Sequence, residues 1–327
     1  MSDAIIVEGL AKRFAEVEAV AGISFRVRQG ELFGFLGPNG SGKSTTINLL
    51  TGLARPDAGA IRIGGIDCRY RPGAAQHLTG AAQHLIGVVP DESNLYPELS
   101  GFDNLCFCAA LYGMAKRERE ARARELLAEF GLSEAAGRRF GGWSKGMKRK
   151  LTIAAGIIHR PAILFLDEPT TGIDVASARQ VRQLIADLHR GGTTIFLTTH
   201  YIEEAERLCD RIAFIVSGRI VRIDTLEQLL KPLQARQVVR IACDTPLNGI
   251  ENGLDGAFPG RAFTCPEPGV IRVEADGPVR VGAIVRFLEE RGIEVAEARR
   301  IRPSLEEIFV RVTGIEADVM QRERGKP

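Results

Sequence analysis

Between the apolar run "ELFGFL" (31–36) and a helix-like segment opening at Lys43 lies "GPNGSGKST" (37–45). No other stretch restricts the fold as strongly, because the spacing GxxxxGK[ST] has meaning only between a strand and a helix. Gly37, Gly40 and Gly42 let the backbone curl so that successive N–H groups face one anion, with Pro38, Asn39, Ser41 and Thr45 completing the loop. Lys43 is positioned to reach β- and γ-phosphate oxygens, and the Ser44 hydroxyl to ligate Mg2+. The expected ligands are therefore ATP, or another nucleoside triphosphate, and Mg2+.

The first 230 residues alternate β-rich and helical segments, the pattern of an α/β domain. "ISFRV" (23–27), "ELFGFL", "AIRI" (60–63) and "LIGVVP" (85–90) read as strands, and Lys43 to about Leu53 reads as a helix. "AILFLD" (162–167), "TIFLT" (194–198) and "IAFIV" (212–216) are unbroken apolar strands of the doubly buried kind. Between them, Ser100 and Asp103 form a candidate capping box ahead of one helix. "KREREARARELLAEFGL" is a second helix, with Leu126, Leu127 and Phe130 on its apolar face. Together they predict a helical insert over about residues 92–160. "GAAQHL" occurs at 73–78 and again at 80–85, which reads as a local duplication lengthening a surface loop, with His77 and His84 carried along rather than placed as ligands.

The net charge of +2 opposes a general nucleic-acid binder. Six scattered cysteines, with no CxxC pair, fit a reduced intracellular protein. The longest charge-poor apolar run, near Asn104–Ala115, is far short of the ~20 residues of a membrane span. No basic-then-apolar leader opens the chain. A cytoplasmic protein is expected, reaching a membrane only through a partner.

A second motif, "ILFLDEPTTGID" (163–174), ends an apolar strand in two carboxylates. Asp167 is placed to hold Mg2+ through water. Glu168 is placed to orient and deprotonate a water aimed at the γ-phosphorus.

With these two motifs the chain resembles the nucleotide-binding subunit of an ABC transporter over residues 5 to about 230. The resemblance implies a P-loop NTPase fold of ABC type, with a small α+β accessory domain at 231–327. It matches Phe14 to the aromatic that stacks on adenine, His200 to the switch histidine at the γ-phosphate, and Asp174 to the aspartate that links the sites of two subunits. It also implies a homodimer, a separate integral membrane permease and a peripheral location on the inner face of the cell membrane.

"WSKGM" (143–147) falls where the family carries its signature, usually LSGGQ. The resemblance implies that Ser144, Lys145, Gly146 and Met147 cover the ATP held by the phosphate loop of a second subunit. Ser144 is a good N-cap. Lys145, Lys148, Arg149 and Lys150 oppose the dipole of the helix that starts there, so they serve either an anion at the helix start or a solvated basic face. Where the family has a glutamine after the strand preceding the insert, this chain has Asp91. Both a Mg2+ ligand and a simple loop residue fit that position.

Beyond residue 230, "LLKPLQ" looks like a linker. "VVRIAC", "VIRVEA" and "EVAEARRI" read as strands around the helix "VGAIVRFLEERG". "RPSLEEIFVRVTG" (302–314) opens with a Ser-x-x-Glu box. This ending resembles ATPases of daunorubicin-resistance and sodium-efflux exporters. Export of an unidentified substrate is the expected function. A soluble ATPase acting on ribosomes or DNA, and a glycan-binding role for the C-terminal domain, are the competing readings.

Overall fold

Residues 32–36, 163–167 and 194–199 are buried along their whole length, as strands covered on both faces must be. The structure, a computed structural model, describes residues 2–68, 80–234, 237–244, 250–301 and 304–315. Two compact units emerge, centred on Met1–Thr225 and Leu226–Arg311.

The first unit opens with β1 (Asp3–Phe14), β2 (Val17–Arg28), β3 (Leu32–Leu36), α1 (Lys43–Leu50), β4 (Ala58–Ile63) and β5 (Ile66–Asp67). After α2 (Gly80–Leu85) and β6 (Ile86–Val89) come three helices in succession: α3 (Gly101–Leu111), α4 (Lys116–Glu129) and α5 (Lys145–Gly156). β7 (Ile163–Asp167), α6 (Val175–Arg190), β8 (Thr194–Thr199), α7 (Ile202–Leu208), β9 (Arg211–Val216) and β10 (Arg219–Thr225) complete it.

β1, β2, β4 and β5 form an antiparallel sheet, β2-β1-β4-β5. The other sheet runs β10-β9-β3-β8-β7-β6, parallel except for β10. Phe25 of the first sheet stacks on Phe33 of the second at 5.6 Å and lies 5.8 Å from Phe196. Ile47 and Leu50 of α1 join that core.

Ser100 caps α3 as expected: its Oγ accepts from Asp103 N at 3.0 Å and donates to Asp103 Oδ2 at 2.6 Å. Leu126, Leu127 and Phe130 are buried. The second "GAAQHL" copy is not a surface loop. It is α2, with Ala82 fully buried and the His84 ring 6.0 Å from Tyr112, because its apolar side chains find cover. The first copy and His77 lie outside the described residues.

α5 lies close along β6 because two glycines face each other. A Cβ on Gly87 would sit 2.1 Å from Gly156 O, and one on Gly156 would sit 2.7 Å from Val89 Cγ2. Gly87→Ala should therefore cost about 3 kcal/mol of stability, measured by urea unfolding, since overpacking against backbone cannot relax cheaply.

The second unit contains α8 (Leu226–Gln234), β11 (Gln237–Cys243), α9 (Glu251–Ala257), β12 (Arg261–Glu267), β13 (Val270–Ala275), α10 (Val281–Glu289), β14 (Val295–Ile301) and α11 (Leu305–Thr313). Its antiparallel sheet has the order β12-β13-β11-β14. Leu254 from α9, and Ile284 and Leu288 from α10, cover Val239, Ile241 and Val273. The expected linker "LLKPLQ" is helical instead, within α8. Leu229 there is fully buried, and that burial outweighs the breaking tendency of Pro232 near the helix end. The Ser304 Oγ accepts from Glu307 N at 3.3 Å, so the Ser-x-x-Glu box does open α11.

Candidate functional site

The parallel register brings four strand ends to one level. Leu36 of β3 pairs with Thr199 of β8, Asp167 of β7 with Thr198, and Val89 of β6 with Leu166. The residues that follow these ends are Gly37, His200, Glu168 and Pro90. Ligands of open α/β sheets bind outside such carboxyl ends.

The loop after β3 is shaped by close backbone contact. A Cβ on Gly37 would lie 2.1 Å from Ile215 O, and one on Gly42, at φ 103°, would lie 2.3 Å from Ala19 O. Pro38, Asn39 and Thr45 are half-buried, while Gly40 and Ser44 are exposed. Gly42 caps α1, and Thr46 Oγ1 donates to its carbonyl at 2.8 Å. Lys43 is 5% exposed. Its Nζ donates to Gly37 O at 2.8 Å and Pro38 O at 3.1 Å, and pairs with Glu168 Oε1 at 3.1 Å. Ser41 Oγ is buried with no hydrogen-bond partner among the described residues. An orphan hydroxyl and glycines in contact with neighbouring backbone fit a polyphosphate cradle.

Asp167 accepts from Thr198 Oγ1 and from Ser44. Burial pushes its carboxyl above the usual range, against the pull of those two hydroxyls. Glu168 has φ 47°, a left-handed conformation that costs a non-glycine residue about 1–3 kcal/mol and persists only when its surroundings enforce it. They do so: Glu168 N donates to Thr198 O at 3.1 Å, Thr171 Oγ1 donates to Oε2 at 3.2 Å, and His200 Nδ1 lies 2.7 Å from Oε2. Burial raises the Glu168 pKa, but the His200 hydrogen bond and the charges of Lys43 and His200 outweigh it, so the net shift is downward. The side chain is therefore a carboxylate at neutral pH.

Ser44 and Asp167 are hard oxygen donors of the kind Mg2+ takes. Among the described residues no group of three or more His, Cys, Asp or Glu could hold a metal. The pair suits an ion whose remaining ligands are phosphate oxygens and water.

Phe14 ends β1 with half its surface exposed, and Lys12 Nζ stands 5.2 Å from its ring. It belongs to the β1–β2 hairpin, whose Ala19 touches the phosphate loop at Gly42. Asp174 caps α6, accepting from Ser177 N at 2.9 Å and Ser177 Oγ at 2.6 Å. These bonds hold its carboxyl below the usual range.

Ser144 caps α5, its Oγ accepting from Met147 N at 3.3 Å. Gly146 packs on the start of α6, where a Cβ would lie 2.1 Å from Ser177 Oγ. Lys145 is exposed and Met147 half-buried. The three later basic residues each reach back into the fold. Lys148 Nζ donates to Gly141 O at 2.8 Å, Lys150 Nζ to Phe130 O at 3.3 Å, and Arg149 Nη1 to Pro90 O at 2.6 Å. Each donates to a backbone carbonyl of its own chain.

Asp91 follows the end of β6. Its carboxylate lies 3.4 Å from Arg149 Nη2, and its backbone oxygen accepts from the same nitrogen. Burial raises its pKa; Arg149 opposes that, and Asp167 and Glu168 add to it. Sequence reasoning missed Thr198, the hold of Arg149 on Pro90 and Asp91, and the buried Thr170–Glu204 hydrogen bond of 2.9 Å. The signal for Thr198 was a hydroxyl inside an otherwise apolar strand. For Arg149 it was a charge on the helix face that continues into "LTIAAG".

A phosphate loop, a strand-end Asp–Glu pair and a strand-end histidine on one parallel sheet define an ATPase of the P-loop class. The family profile described as ABC transporter matches residues 20–171. A daunorubicin resistance ATP-binding protein of Streptomyces coeruleorubidus is 36% identical over 95% of this chain and 96% of its own length. A fluoroquinolones export ATP-binding protein of Mycobacterium tuberculosis is 38% identical over 96% of this chain and 94% of its own. A solved dimeric ATP-binding cassette in a post-hydrolysis state with ADP and Pi shares 26% identity at a TM-score of 0.60, covering 68% of this chain and 98% of that one. The chain belongs to the ATP-binding subunits of ABC transporters.

Proposed function

We propose that this chain energises export of a substrate through a separate membrane permease, with two copies pairing head to tail around two ATP molecules. The observation that carries this reading is the convergence of Lys43, Asp167, Glu168 and His200 at three neighbouring strand ends. The export direction draws on the relatives named for drug resistance and for fluoroquinolone export. Among the described residues no helix is long and apolar enough to cross a membrane. On this reading the substrate path lies in the permease and this chain sits on its inner face.

The phosphate loop, Gly37–Thr45, binds the phosphates through backbone N–H groups and Lys43. Phe14 stacks on the adenine. Ser44 and Asp167 would hold Mg2+, which supplies charge neutralisation at the β- and γ-oxygens. Glu168 accepts a proton from a water that attacks the γ-phosphorus. The bond to the β–γ bridging oxygen then breaks, giving ADP and phosphate. His200, bound to Glu168, orients it and faces the γ-phosphate. Ser144 and Gly146, flanking Lys145 and followed by Met147, cover the ATP of the second copy. Asp174, beside Gly146 on the start of α6, links the two sites.

Reconstitution with a candidate permease tests this reading. Hydrolysis should require Mg2+, stop with EDTA, and rise when the permease is added in detergent or bilayer. Recovery of the chain with ribosomes instead, and ATPase indifferent to the permease, would sink the proposal.

A further inference from the structure

Arg149 is 7% exposed, yet none of the chemistry above uses it. It sits on the face of α5 that turns toward β6. Its guanidinium reaches the chain where β6 leaves the sheet: Nη1 donates to Pro90 O at 2.6 Å, Nη2 donates to Asp91 O, and Nη2 lies 3.4 Å from Asp91 Oδ1. One turn on, Thr152 Oγ1 bonds Ser93 Oγ at 2.8 Å. A further turn on, Gly156 and Gly87 bring helix and strand backbones together. The outgoing segment 90–93 and the returning helix α5 are therefore fastened along one line. Of the three helix positions on that line, Arg149, Thr152 and Gly156, Arg149 carries the charge.

The start of the same helix carries Ser144 and Gly146. Arg149 is four residues beyond Lys145, about 6 Å along a helix axis at 1.5 Å per residue. A helix transmits such a grip as a rigid rod, so the angle of its first turn depends on where Arg149 is anchored. The pair also accounts for Asp91. A buried guanidinium bound to two neutral carbonyls needs a counter-charge, and the half-exposed Asp91 carboxylate is the one in contact.

We propose that Arg149 is a positioning residue that orients the Ser144–Gly146 turn through its hold on Pro90 and Asp91. Asp91 serves as its counter-ion and not as a Mg2+ ligand. The inference rests on the reading of Ser144 and Gly146 as an ATP-facing element.

The test uses the full chain with Asp91→Asn, Arg149→Gln and both together. It reads kcat, KM, the Mg2+ concentration for half-maximal ATPase, and quenching of Trp143 by acrylamide. Trp143 is the sole tryptophan, is buried, and immediately precedes Ser144, so it reports on that end of α5. Arg149→Gln leaves buried carbonyls unpaired and should lower kcat roughly 10-fold or more, with KM changed less. Trp143 should become more quenchable. Asp91→Asn should lower kcat less, leave the Mg2+ midpoint unchanged, and add nothing in the Arg149→Gln background. A Mg2+ midpoint raised about tenfold in Asp91→Asn would return Asp91 to the metal and overturn the counter-ion role. Additive losses in the double variant, or unchanged Trp143 quenching in Arg149→Gln, would overturn the positioning role. If Arg149→Gln does not fold, Arg149→Lys replaces it in the cycle, since lysine keeps the charge but not the forked grip. Glu168→Gln, assayed alongside, separates the two readings. Should it hydrolyse ATP normally, the site assignment itself falls; should it be inactive while the cycle shows no coupling, only this inference falls.

Discussion

Glu168→Gln is expected to bind ATP as tightly as the unaltered chain while losing at least about 100-fold in hydrolysis, the scale of general-base catalysis. Glutamine keeps the shape and one oxygen acceptor near His200 but cannot take a proton from water. It also removes the ion pair with Lys43, 3.1 Å long, and so frees that ammonium from its competing carboxylate. The bound state should therefore persist, and an ATP-dependent dimer should accumulate on size-exclusion chromatography. Phosphate release and titration with a fluorescent ATP analogue measure the two quantities separately. Hydrolysis at the normal rate would remove Glu168 from the reaction. Lys43→Ala should show the opposite signature, a loss of nucleotide affinity.

The second large effect is restoration of activity by mixing two inactive variants. Lys43→Ala disables a phosphate loop. On the proposed head-to-tail pairing, Ser144→Asp would place a negative charge beside the γ-phosphate of the neighbouring copy, and because aspartate caps a helix as well as serine, α5 keeps its start. Gly146 is unsuitable for this purpose, since any side chain there strikes Ser177. In a mixed dimer one composite site carries both lesions and the other carries none. Activity should return to what one site can deliver, up to about half of the unaltered dimer if the sites act independently. A dimer of unaltered chain with Lys43→Ala is the control, because strictly coupled sites stay silent with one intact. An active control with a dead mixture would place the Ser144 turn outside its neighbour's site.

Much of this site was legible before any coordinates, and the reason is locality. The phosphate loop, the caps at Ser100 and Ser144, and the apolar strands ending in Asp167 and His200 each depend on residues within a few positions of one another. β1 was less legible. A register break between Val7 and Leu10 interrupts its alternation, so the period of two that marks a strand is lost midway. α8 was hidden by Pro232 because the burial that favours the helix is a tertiary fact.

Residue type and spacing alone settled that this chain must place a phosphate loop and a strand-end carboxylate pair on one parallel sheet. They could not settle what each charge is spent on. Arg149 finds Asp91 58 residues away, while Lys148 and Lys150 turn to Gly141 and Phe130, so three basic letters in a row serve different partners. Glu168 takes a left-handed backbone because Thr198, from another strand, holds its N–H. Hydrogen bonds and ion pairs act over about 3 Å, and only the folded register decides which distant groups come that close.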